Sequence, residues 1–142
     1  MAKMKVVYWS QSGNTEAMAR AVAEGMTAAG KEAESVSVSE ITPEDLSKEM
    51  AFALGCPAMG AEVLEESEME PFVTELEKNV SGKRIALFGS YGWGDGQWMR
   101  DWVDRMTAAG AEVLHGEGVI CQETPDEDTL EACRNLEKLL AQ

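Results

Sequence analysis

Short, continuously apolar runs alternate with amphipathic helical patterns along the whole chain, and no feature constrains its fold more. Strands are predicted over Lys5–Trp9, Glu34–Val38, Ala51–Cys56 and Arg84–Gly89, with a weak one around Val113–Cys121. Helices are predicted over Asn14–Ala29, Glu68–Asn79, Gln97–Ala109 and Pro125–Ala141, with a short helix or turn at Pro43–Lys48. Each helix carries one apolar stripe: Phe72, Leu76 and Val80; Trp98, Trp102 and Met106; Leu130, Cys133, Leu136 and Leu140. The runs at Val6 and Ile85 do not alternate with polar residues, as expected of strands covered on both sides. Together these patterns imply one α/β domain over residues 1–142, a doubly wound parallel sheet with helices on both faces and right-handed crossovers. Gly30, Gly82 and Gly110 fall where helices and turns should end.

Composition narrows the function classes. The net charge of −14 makes nucleic acid and anionic membranes poor partners, and favours a basic protein partner. Plain solubility explains the charge equally well. No apolar run reaches the roughly 20 residues needed to cross a bilayer. Met1 to Lys5 lead directly into the first strand without a signal-peptide pattern, so the chain reads as cytoplasmic. Three cysteines, Cys56, Cys121 and Cys133, form no C-x-x-C pair and read as buried thiols rather than a disulfide or metal site. His115, the only histidine, has no partner pattern and reads as a surface or strand-end residue.

In an open α/β sheet ligands bind beyond the carboxyl ends of the strands. Three unusual loops leave strands one, three and four there. The first, Ser10-Gln11-Ser12-Gly13-Asn14-Thr15, offers hydroxyls, an amide and a helix N-terminus, and contains no Lys or Arg. Such a loop suits an anion held by neutral donors, so that a phosphate keeps its charge. It matches neither a Walker A nor G-x-G-x-x-G. A helix cap from Ser12 or Asn14 is the plainer reading, but one cap does not require five such residues. The second loop is Pro57-Ala58-Met59-Gly60-Ala61-Glu62. Gly60 marks a tight turn, Met59 an adaptable apolar contact, and Glu62 an acceptor; alone it is an ordinary turn. In the third, Ser90-Tyr91-Gly92-Trp93-Gly94-Asp95-Gly96, two aromatics stand among three glycines, which suits stacking on a flat ring. Trp98, at helical spacing with Trp102, belongs to the core.

At these residues the chain resembles the flavodoxins, electron carriers that bind FMN. The first loop looks like their phosphate loop, and the second and third resemble the flavin-clasping loops of the short-chain, clostridial-type members. The likeness spans essentially the whole chain. It implies a single-domain, flavodoxin-like, five-stranded parallel sheet in the order 2-1-3-4-5, without the long fifth-strand insertion of the other class. It also implies that Ser10, Gln11, Ser12, Gly13, Asn14 and Thr15 form the FMN phosphate site. Trp93 would stack on one face of the isoalloxazine and Met59 would cover the other. The Gly60 peptide would reorient on reduction to accept from flavin N5–H, and Glu62 would accept from N3–H. Trp9, Ala58, Ser90, Tyr91, Gly92, Gly94 and Asp95 would line the remaining cofactor surface. Pro57 stands where some relatives carry a hydroxyl. Ala61 stands where Gly, Asn or Asp is expected, and its Cβ restricts positive φ.

Electron transfer needs no catalytic group, because the cofactor carries the chemistry. An acidic, poorly solvating surrounding disfavours the anionic hydroquinone. The expectation is therefore a low-potential one-electron carrier that shuttles between semiquinone and hydroquinone. Seven acids, Glu62, Glu65, Glu66, Glu68, Glu70, Glu75 and Glu77, occur without an intervening base. They are either a solvated face or a docking surface for basic redox partners, ferredoxin-type oxidoreductases, with the protein itself a monomer. An FMN-dependent reductase would need a second substrate pocket, for which the loops leave little length. A receiver-type signalling domain would need acids at the first strand's end and an Asp after the third, where Ser10 and Cys56-Pro57 stand.

Overall fold

In the computed structural model, residues 4–10, 13–30, 32–59, 63–92, 96–113 and 118–136 are described. Strands β1 (Met4–Tyr8), β2 (Ala33–Ser37), β3 (Ala51–Gly55) and β4 (Arg84–Tyr91) run parallel, in the spatial order β2-β1-β3-β4. The fifth position is shared by two short strands along the same side of β4. Strand β5 (Glu112–Val113) pairs with Arg84–Ile85, and β6 (Val119–Gln122) pairs with Phe88–Tyr91. The order 2-1-3-4-5 expected from the sequence is therefore found, with its weak last strand divided. Gly118 opens the second piece: a Cβ there would lie 2.4 Å from Met99 Sδ, so a larger residue would have to displace that side chain. His115 lies outside the described residues.

Among the described residues there are five α-helices: α1 (Asn14–Ala28), α2 (Pro43–Leu46), α3 (Met69–Leu76), α4 (Gln97–Ala108) and α5 (Glu127–Arg134). Two are capped as their sequences require. Thr42 Oγ1 accepts from Asp45 N–H ahead of Pro43, and Asp126 accepts from Thr129 N–H. The predicted third helix tightens into a 3₁₀ turn over Glu77–Asn79. Leu140, at the end of the last predicted stripe, lies outside the described residues. No helix among them is long and apolar enough to cross a membrane.

Successive strand residues face opposite sides, and the two sides form separate apolar clusters. Val7, Phe52, Leu54, Ile85 and Leu87 pack with α3 and α4 residues, including Phe72, Leu76, Trp98, Trp102 and Met106. Val6, Ala51, Ala53, Ala86 and Phe88 pack with Met18, Val22 and Met26 of α1 and with Cys133 of α5. Small strand residues on the second side admit a close α1–α5 pair. At Gly25 a Cβ would sit 2.0 Å from the Arg134 carbonyl oxygen, so that contact accepts no side chain. All three cysteines are free and buried, as their spacing predicted. Burial pushes the Cys56 and Cys133 thiols up to about 12 and Cys121 to about 11.

Candidate functional site

Parallel strands put their carboxyl ends on one rim, and the loops that follow β1, β3 and β4 meet there around a cleft of about 200 Å³. Its walls are Ser10, Asn14 and Thr15 from the first loop; Pro57, Ala58 and Met59 from the second; and Ser90, Tyr91 and Gly92 at the end of β4. Glu123, just beyond β6, completes the lining. Of the site residues expected from the sequence, Gln11, Ser12, Gly60, Ala61, Glu62, Trp93, Gly94 and Asp95 lie outside the described residues.

Local sequence explains how the first wall is built. Gly13 begins α1 at φ 94°, a left-handed conformation that favours glycine, and it leaves the helix without a side-chain cap from its own position. Ser10 serves instead: its Oγ accepts from the N–H of Gly13 and of Glu16, each at 3.2 Å. Thus the hydroxyl that caps the first turn comes from Ser10, not from Asn14. Thr15, 1% exposed, brings its Oγ1 within 3.1 Å of Ser90 Oγ, so one hydroxyl pair joins the first and third loops.

The second wall is fastened at several points. Cys56 N–H donates to Phe88 O and Ala58 N–H to Ser90 O. Trp98 is core, as expected, and its Nε1–H donates to Cys56 O at 3.1 Å. Met59 and Val63 exchange two backbone bonds, 2.8 and 3.0 Å long. Tyr91 rests on Trp98, with ring centroids 5.5 Å apart and planes tilted by 50°. Trp9 stands beside the cleft rather than in its lining, and its indole N–H donates to Glu68.

The cleft's described lining combines neutral polar groups and apolar atoms with the carboxylate-bearing Glu123. Ser10, Thr15, Ser90 and Asn14 supply its neutral polar groups, with the Ser10 hydroxyl against the start of α1, while Ala58, Met59 and Tyr91 supply an apolar wall. Among the described residues its lining contains no Lys or Arg. A phosphate beside a flat apolar ring fits this division, with the helix N-terminus as the favourable partial charge.

Glu123 escaped the sequence reading. Its N–H donates to Tyr91 O at 2.7 Å and its φ is 60°, the only positive φ of a non-glycine among the described residues. Neighbouring Gln122 donates to Gly92 O, so the segment after β6 is tied directly to the third loop.

The run of acids is less free than its sequence suggests. Arg105 of α4 reaches across to Glu70 with two bonds of 2.9 and 2.7 Å, and also binds Glu77. This guanidinium is the main cause that holds the Glu70 carboxyl below the usual range. Glu75 pairs with Lys78. Glu65 is only 7% exposed. Burial alone would raise its carboxyl, but hydrogen bonds from the Ser67 side chain and from the Met69, Ser67 and Glu68 N–H groups outweigh that and lower it.

Known proteins similar to this chain include flavodoxins. The family model described as Flavodoxin matches residues 6–136. The chain is 52% identical to a flavodoxin of Clostridium beijerinckii over 124 residues, 87% of this chain and 89% of that protein. It is 46% identical to a flavodoxin of Megasphaera elsdenii, covering 87% and 88% of the two. Among solved structures, two-electron reduced Megasphaera elsdenii flavodoxin superposes with a TM-score of 0.85 at 42% identity, over 95% of this chain and 98% of that one. A flavodoxin from the domain Archaea superposes at 0.83 with 29% identity, over 99% and 96%.

Proposed function

The chain belongs to the flavodoxin family of FMN-binding electron-transfer proteins, and from that premise we propose that it is a cytoplasmic, single-domain, low-potential one-electron carrier. It would hold FMN without a covalent bond and work between the semiquinone and hydroquinone states. The observation that carries this reading is the cleft itself, with neutral hydroxyls and an amide, an apolar wall on the same rim and, among the described residues, no Lys or Arg in its lining. Bound FMN supplies the redox chemistry, and the protein needs no catalytic group or substrate turnover of its own.

The chain's residues divide the remaining work. Ser10, Thr15, Ser90 and the Asn14 amide donate to the phosphate. Gln11, Ser12 and Gly13 belong to the same loop and share the role. The negative charge of a phosphate held this way would be left uncompensated, because the described lining holds no Lys or Arg. Met59, Ala58 and Pro57 exclude water from one ring face, and Trp93 covers the other, with Tyr91 held against Trp98 as support. The Gly60 carbonyl and the Glu62 carboxylate would accept from the ring's N–H groups. Ala61 sets the cost of turning the Gly60 peptide. Phosphate, Glu62 and Glu123 together place negative charge around the ring, which disfavours adding more and drives the second potential down.

Transfer then depends on docking. Glu66 and Glu68 are exposed acids near the second loop. With Glu62, they give basic redox partners such as ferredoxin-type oxidoreductases an attractive patch. Arg105 and Lys78 neutralise the more distant acids and so confine that patch to the flavin edge. Transfer to a basic partner should slow as salt is raised.

Reductive titration of the purified protein tests the reading. Yellow protein that passes through a blue one-electron state before bleaching supports it. Direct two-electron reduction refutes the carrier mechanism, and a colourless protein that refuses added FMN refutes the cofactor.

A further inference from the structure

A carboxylate that is 7% exposed and has no Lys or Arg partner among the described residues is costly unless every lone pair is used. Glu65 meets that condition. Its Oε1 accepts from Glu68 N–H at 2.7 Å and Met69 N–H at 3.0 Å. Its Oε2 accepts from Ser67 N–H at 2.8 Å and from the Ser67 hydroxyl. These donors fix the chain as it enters α3. The same residue's backbone N–H donates to Cys56 Sγ at 3.4 Å, where the second loop begins. Glu65 therefore staples both feet of the segment that carries Met59. Between them lie the double bond pair of Met59 with Val63 and the buried Leu64.

We propose that Glu65 is a positioning residue whose buried carboxylate holds the Met59–Val63 pair, and through it Met59, at the wall of the cleft. This rests on the reading of the cleft as a flavin site. Neutralising Glu65 leaves the shape nearly unchanged but not the bonding. A glutamine accepts at one oxygen only, so at least one of the three N–H groups is left facing another N–H.

Glu65→Gln compared with Glu66→Gln tests this, since both remove one charge from neighbouring residues and Glu66 is exposed. In FMN-free protein, amide hydrogen exchange at Met59 and Val63 should quicken about tenfold in Glu65→Gln, the size of one net hydrogen bond. Exchange at Leu54 in β3 should stay within about twofold, and Glu66→Gln should alter neither. In FMN-loaded protein the first reduction potential should move further in Glu65→Gln than in Glu66→Gln. Equal potential shifts in the two variants, or unchanged exchange at Met59 and Val63, would overturn the proposal. Failure of the wild-type protein to take up FMN would instead overturn the flavin reading, and exchange in the FMN-free protein would still decide the positioning role.

Discussion

Replacing Thr15 by Val separates the two duties of its hydroxyl. The substitution keeps the β-branched shape at a position 1% exposed, and removes only the oxygen that lies 3.1 Å from Ser90 Oγ. Ser90 is itself 5% exposed, so its hydroxyl loses a partner where water is scarce. An unsatisfied buried polar group costs about 1–3 kcal/mol. For a chain of this length that lowers the unfolding temperature of FMN-free protein by roughly 3–10 °C. Binding should suffer separately. A hydrogen bond to a charged group contributes about 1.5–3 kcal/mol, so FMN affinity measured by calorimetric titration should fall roughly tenfold to hundredfold. The double variant Thr15→Val with Ser90→Ala distinguishes the effects. Removing both partners should restore much of the lost stability, because neither hydroxyl is stranded, while affinity stays low. Thr15→Val protein that binds FMN within about twofold of wild type would refute the assignment of this hydroxyl to the phosphate.

Arg105→Met should destabilise the protein by about 1–3 kcal/mol, read from urea unfolding, because Glu70 and Glu77 lose a shared, half-buried guanidinium. The same variant should flatten the acid limb of stability against pH. The Glu70 carboxyl is held below its ordinary value of 4.5 in the folded state, so its contribution is complete above that pH and disappears as pH falls through the lower, folded value. Without Arg105 that loss has less to remove; an unchanged acid limb would contradict the account. Glu123→Asn should raise the melting temperature by roughly 2–4 °C, since asparagine tolerates a φ of 60° better than glutamate by about 0.5–1 kcal/mol. It should also tighten FMN binding by removing a carboxylate from the lining, which calorimetric titration would detect.

The strand–helix alternation was legible because periodicity records burial directly: the stripes Trp98–Trp102–Met106 and Phe72–Leu76–Val80 are buried as their spacing required. The first and third rim loops were legible because their composition contradicts ordinary turns; the second, an ordinary turn by itself, was legible only beside them. Other features depend on partners far away in the chain. Nothing near Glu70 signals that Arg105, 35 residues on, neutralises it. Glu65 reads as surface, as almost any glutamate does, until the turn into α3 supplies its donors. Glu123 was invisible for the opposite reason: a left-handed glutamate breaks local preference, and tertiary placement overrides it. The divided fifth strand escaped because two- and four-residue pairings are too short to carry a pattern.

That division has a consequence for the molecule among its own kind. An exposed strand edge is a template on which a second copy can add itself, and a long flat one invites fibres. Beside β4 the ladder is broken into segments of two and four residues, and at the opposite margin β2 is five residues long and carries the charged Glu34. Both margins are short, and on β2 the charge of Glu34 opposes the addition of a second copy. An abundant carrier packed at high concentration would thereby stay dispersed without spending a separate element on guarding its flanks.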